Sequence, residues 1–143
     1  MTTAVVDEGV TEFFQRYNEA WASRDVDAIA ALHTPDTVYT VAAFEIQAHG
    51  RDQLREALTG SFQLWPDIRF EEVRLYSTPA LIVFESQAVG TLTAPLQLGD
   101  VTLEPNGVQE HFACVDVIAL EGGLIKRKDA YLDALGYAQR LRG

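Results

Sequence analysis

Residues 112–133 read FACVDVIALEGGLIKRKDAYLD. Apolar and polar positions alternate on both sides of Gly122-Gly123, which predicts strands over 108–120 and 124–133 joined by a hairpin turn. Asp116 is the odd residue in this run. A buried, unpaired carboxylate is strongly opposed, or stays protonated. It is therefore the first candidate for a chemical role.

Working back from the hairpin, period two persists to Pro66 and predicts strands near 67–77 and 80–93, turned at Ser77-Thr78-Pro79. Ala94 to Gly107 holds Pro95, Gly99, Pro105 and Asn106-Gly107, and reads as a long, mobile loop. Before Pro66 the period is helical. Val6, Val10, Phe13, Phe14, Tyr17 and Trp21 form one stripe on a first helix. Asp25 is placed to cap a second helix, VDAIAALH, ended by Pro35. A strand near 37–42 follows. Leu54, Leu58 and Phe62 stripe a third helix from near Gly50 to Trp65-Pro66. The last residues, DALGYAQRLRG, fit a short helix or a loose tail. Helices first and an antiparallel sheet afterwards make an α+β arrangement.

The chain has 143 residues, suited to a single domain over 1–143. Its net charge of −10 argues against nucleic acid or an anionic membrane as partner. One cysteine, Cys114, allows no internal disulfide and no thiolate metal cage. His33, His49 and His111 are widely spaced, so no metal site is expected. No glycine-rich phosphate loop is present, and no cofactor is expected. MTTAVVDEGV lacks the basic and apolar segments of a leader, and no apolar run approaches membrane-spanning length. The expected location is cytoplasmic.

RYNEAWASRDVDAIAALHTPDTV, HGRDQLREAL, WPDIRF, GTLT and VDVIALEGGLIKRKDAYLD, in this order, resemble the nuclear transport factor 2-like superfamily, in particular its ketosteroid isomerases and SnoaL-like polyketide cyclases. The resemblance covers most of Arg16 to Asp133. It implies a cystatin-like cone, with a curved, mainly antiparallel sheet wrapped around three N-terminal helices and a central pocket. It also implies a homodimer and a small apolar ligand or substrate.

On strand 108–120, Glu110, Phe112, Cys114, Asp116 and Ile118 share one face, which the resemblance turns toward the pocket. Tyr17 and Asp116 match the isomerases' oxyanion pair, in which a carboxylic acid is kept neutral to donate a hydrogen bond, as in the well-known ketosteroid isomerase case. The plain alternatives are an ion-paired or solvent-facing Asp116 and a core Tyr17. The isomerase base has no counterpart, since Thr40 or Val41 stands in its register. The Asp–Arg–Asp set of limonene-type epoxide hydrolases meets Ser86, Ala88 and Ala130. Leu92 stands where the cyclases usually carry a histidine.

The last strand offers Lys126, Lys128, Ala130 and Leu132 on one face and Arg127, Asp129 and Tyr131 on the other. The isomerase match turns Lys128 inward, as a base, a Schiff-base former or a clamp for an anion. The opposite register would present Asp129. The expected pocket residues are Phe13, Trp21, His33, Thr40, Phe84, Ser86, Phe112, Cys114, Ala130 and Leu132, with Tyr17, Asp116 and Lys128 as the chemical groups. His33 could support Tyr17 or act as the missing base. Cys114 reads as a small buried hydrophobe. The reading favoured is a cofactor-independent acid–base enzyme of isomerase or cyclase type, acting on an apolar carbonyl compound that is polyketide- or steroid-like. The rival is a binding or assembly domain without turnover.

Overall fold

The structure, a computed structural model, describes residues 5–143; the first four, part of the segment read for a leader, lie outside it. Helix α1 (Glu8–Ala22) starts at Asp7, whose side chain accepts from Val10 N at 2.9 Å. The apolar stripe buries Phe13, Phe14, Tyr17 and Trp21, while Val6 precedes the cap and is exposed. Asp25 caps α2 (Val26–Ala31) as expected, accepting from Ala28 N at 3.0 Å.

Helix α2 does not run to His33, and Pro35 does not end it. His33 already opens strand β1 (His33–Val41), which contains Pro35 and is longer than the 37–42 expected. Proline is tolerated because the ladder to the neighbouring strand is irregular between His33 and Val38, where a missing N–H costs no ladder bond. A 3₁₀ turn (Ala42–Phe44) and a four-residue strand β2 (Ile46–His49) then fold back on β1. Neither was expected; four residues carry too little periodicity to read. Helix α3 (Gly50–Leu64) ends at Trp65, just before Pro66.

Strands β3 (Arg69–Thr78) and β4 (Leu81–Gly90) form the first expected pair. The Ala94–Gly107 segment is not simply a long loop. It carries its own hairpin, β5 (Leu96–Leu98) and β6 (Val101–Leu103), turned by Gly99-Asp100 with Gly99 at φ 60°. Leu96 and Leu103 are buried, and this apolar anchor was hidden by the surrounding turn residues. Strands β7 (Glu110–Glu121) and β8 (Leu124–Leu132) form the Gly122-Gly123 hairpin, both glycines having positive φ as a primed turn requires. The tail is helical: α4 (Ala134–Arg142) is capped by Asp133 and buries Tyr137, Ala138 and Leu141.

The main sheet runs β2-β1-β8-β7-β4-β3. Its pairings are antiparallel except β1 with β8, which is parallel, so the sheet is mixed. Register shifts in three of the pairings bend it, and it stays open rather than closing into a barrel. Its inner face holds α1 to α3 through one apolar cluster, while α4 and the β5–β6 hairpin build a second around Trp65, Phe112 and Tyr137. No helix among the described residues is long and apolar enough to cross a membrane.

Candidate functional site

A cavity partly open to solvent lies between the two clusters. Its walls are largely aromatic and aliphatic: Phe14 and Trp21 from α1, Tyr39 and Val41 from β1, Phe84 from β4, Phe112 from β7, Ala130 and Leu132 from β8, and Trp65 and Ile68 beyond α3. Polar groups are few. Asn18, Ser61, Cys114, Asp116 and Lys128 line it.

Asp116 and Lys128 share the inner face because β7 pairs Asp116 with Ala130 and Ile118 with Lys128. The two are therefore diagonal neighbours on one pleated surface. Asp116 is 5% exposed and Lys128 6%. Asp116 lines the cavity, and its carboxyl takes part in no hydrogen bond or ion pair with another described residue. Burial holds its pKa above the usual carboxylate range, with the Lys128 ammonium pulling the other way. Burial would lower the Lys128 pKa, but Tyr17, Asp116 and Tyr39 more than offset it, and the net direction is upward. Lys128 is an ammonium.

A chain of hydrogen bonds holds that ammonium. Lys128 Nζ donates to Tyr17 Oη at 3.2 Å, Tyr17 Oη lies 3.0 Å from His33 Nε2, and His33 Nδ1 lies 2.8 Å from Thr37 Oγ1. An ammonium has only donors, so the Tyr17 oxygen accepts and its hydrogen goes to His33 Nε2. The imidazole then carries its proton on Nδ1 and donates to Thr37. His33 is fully buried, and burial, with Lys128 and Arg51 adding to it, lowers its pKa to about 3. It is neutral. Arg51 Nε and Nη2 fix its backbone by donating to His33 O.

Of the residues expected in the pocket, Trp21, Phe84, Phe112, Cys114, Asp116, Lys128, Ala130 and Leu132 line it. The Lys128 register is the inward one. Asp129 faces outward, bonded by Arg127 and by Thr40 Oγ1 at 2.6 Å. Thr40 is therefore on the wrong side of β1, and Tyr39 and Val41 take the pocket face. Phe13 is buried outside the cavity beneath the Arg16 guanidinium; Phe14, the next residue of the stripe, takes its place. Ser86 is buried, its hydroxyl without a partner among the described residues, and does not line the cavity. Tyr17 and His33 are not among the lining residues; Tyr17 meets the site through Lys128. Both hydrogen-bonding roles of its hydroxyl are already used. The Cys114 thiol is pushed up to about 12 by burial and by Asp116, and stays protonated. The Trp21 Nε1–H is buried without a partner among the described residues.

Phe14, Tyr39 and Val41 had a signal that could have found them: each sits on the apolar parity of its element, whereas Thr40 does not. Phe44 and Ile46 had none, as they come from short segments whose placement is tertiary.

A model of the SnoaL-like domain matches residues 14–128. No curated protein matches the chain by sequence. Among solved structures, a candidate polyketide cyclase from Xanthomonas campestris pv. campestris is 16% identical, with 92% of this chain and 95% of that one covered at a TM-score of 0.77. A candidate SnoaL-like polyketide cyclase from Jannaschia sp. CCS1 is 17% identical, with 95% and 93% covered at 0.76. A hypothetical protein of ketosteroid isomerase-like fold from Catenulispora acidiphila DSM 44928 is 14% identical, with 90% and 92% covered at 0.73. At these identities the likeness is one of fold.

Proposed function

The chain belongs to the SnoaL-like domain family, and from that premise we propose that it is a cofactor-independent acid–base enzyme of cyclase or isomerase type, acting on an apolar ring compound that carries a carbonyl. The family and its neighbours suggest a role of that type. The observation that carries the finer reading is Asp116, an unpartnered carboxyl buried at an apolar cavity beside a buried ammonium.

In this reading Asp116, as the carboxylate, takes the proton from the carbon next to the substrate carbonyl. The electrons move to the carbonyl oxygen, giving an enolate that the Lys128 ammonium stabilises. Asp116, now protonated, returns the proton. Delivery to another carbon completes an isomerisation. If the enolate carbon first attacks a second carbonyl of the same molecule, delivery to the new alkoxide completes a ring closure. A carboxyl with a raised pKa suits both halves of that cycle. Tyr17 acts through Lys128 and does not touch the substrate.

The test is exchange of the α-proton of two- and three-ring ketones in D₂O, followed by proton NMR. Wild type should accelerate exchange, and Asp116→Asn should lose about 10²–10⁴-fold of that rate. Binding without exchange, or equal rates in the two proteins, would leave a binding domain instead.

A further inference from the structure

The Lys128 ammonium has three N–H donors and uses one, on Tyr17. Its nitrogen lies 4.5 Å from the Trp21 ring centre, 4.8 Å from that of Tyr17 and 5.7 Å from that of Tyr39. Those faces stabilise a cation but do not neutralise it. Buried charges are normally paired. Asp116, diagonal to Lys128 on the same face, makes no ion pair with it. His33, behind Tyr17, is neutral, and Cys114 stays a thiol. A fixed positive charge with spare donors therefore lines an apolar cavity and lacks a contacting counter-ion among the described residues.

The Thr37–His33–Tyr17 chain makes this arrangement directional. Because the Tyr17 hydrogen is committed to His33 Nε2, its oxygen offers only lone pairs toward Lys128. The chain fixes Lys128 as a donor and keeps Tyr17 from donating to a ligand. A neutral His33 adds no second positive charge.

We propose that the cavity selects ligands with one anionic oxygen on an apolar ring frame, that Lys128 makes the selection, and that Tyr17 and His33 are positioning residues for it. This inference rests on the reading of the cavity as the active site and narrows its substrate class to acidic enols, phenols or carboxylates. An enolisable 1,3-dicarbonyl compound would then enter with its charge already placed against Lys128, leaving Asp116 free to move a proton elsewhere on the ring.

The probes are 2-naphthol, 2-naphthoate and 2-methoxynaphthalene, titrated into the full chain at neutral pH. The acidic probes should bind about tenfold or more tighter than the ether, and bound naphthol should show the naphtholate absorption band about one to three pH units below its free pKa. The tighter of naphthol and naphthoate tells an enol or phenol class from a carboxylate one. Lys128→Met should abolish the preference while ether binding persists. Tyr17→Phe should move the bound-naphthol ionisation back toward higher pH. Naphthol bound only as the neutral form, equal affinity for acid and ether, or no binding of any probe would overturn the inference; the wild-type spectra decide it even if Lys128→Met does not fold. Asp116→Asn abolishing proton exchange while Lys128→Met keeps the anion preference would overturn this inference alone. Lost preference in Lys128→Met with full exchange in Asp116→Asn would overturn only the acid–base reading.

Discussion

The Tyr17 hydroxyl stands 3.2 Å from Lys128 Nζ and 3.0 Å from His33 Nε2, accepting from one and donating to the other. Three elements that share no local sequence are tied at one oxygen. Tyr17→Phe leaves the ring packing in place but strips Lys128 of its hydrogen bond and His33 of its donor. We expect a loss of about 1–3 kcal/mol in urea unfolding, the cost of leaving buried polar groups unsatisfied. A loss within error of zero would mean that water replaces the hydroxyl.

His33 titrates at about 3 in the folded protein, against 6.5 when exposed. The unfolded chain therefore binds a proton between these values that the folded chain refuses. Stability is full above pH 6.5 and falls as pH drops toward 3, by up to about 1.4 kcal/mol per pH unit from this group. Asp116, whose pKa is raised, acts in the opposite sense as pH falls from its raised folded pKa to the ordinary carboxylate value. His33→Gln should flatten the slope between pH 6.5 and 4 relative to wild type. An unchanged slope would place the acid sensitivity elsewhere.

Lys128 lowers the Asp116 pKa against the upward push of burial. Removing the ammonium leaves burial unopposed. In Lys128→Met, a carboxyl ¹³C titration should place Asp116 higher than in wild type. A downward shift, or none, would show that the two charges are not coupled across the β7–β8 face.

Thr40 Oγ1 donates to the outward-facing Asp129 at 2.6 Å. Thr40→Asp therefore builds a pair of carboxylates on the outer face and does not restore an isomerase base. We expect it to destabilise the fold by about 1 kcal/mol at neutral pH, less at high salt. We expect no gain in conversion of a β,γ-unsaturated ketosteroid to its conjugated enone, read by ultraviolet absorbance. A clear gain would put residue 40 inside the cavity after all.

The features legible in the sequence were those with local chemistry. Gly122-Gly123 could only be a tight turn between alternating strands, and Asp25 and Trp65-Pro66 bound their helices as caps and breakers do. Asp116 stood out because its neighbours were apolar. What stayed hidden depends on distant partners. His-Thr-Pro-Asp resembles a helix end until β8 pairs alongside it. Alternation could not choose between Lys128 and Asp129, as both faces of that strand mix charge with apolar groups; the pairing of Asp116 with Ala130 decides it. The depth of Tyr17 behind Lys128 is a matter of layers, and one residue's place on a helical stripe does not specify layers.

The parallel pairing of β1 with β8 also imposes an order in time. Strand β1 leaves the ribosome early with β2 on one edge, and its other edge has no partner until Leu124–Leu132 emerges. At about 5–20 residues per second that wait is on the order of ten seconds. Throughout it, Tyr17, His33 and Thr37 can form their chain, but the ammonium it is built to hold has not been synthesised. An unfinished molecule therefore carries an open strand edge, a known route to wrong pairing between chains, and the last strand to be made both seals that edge and charges the site.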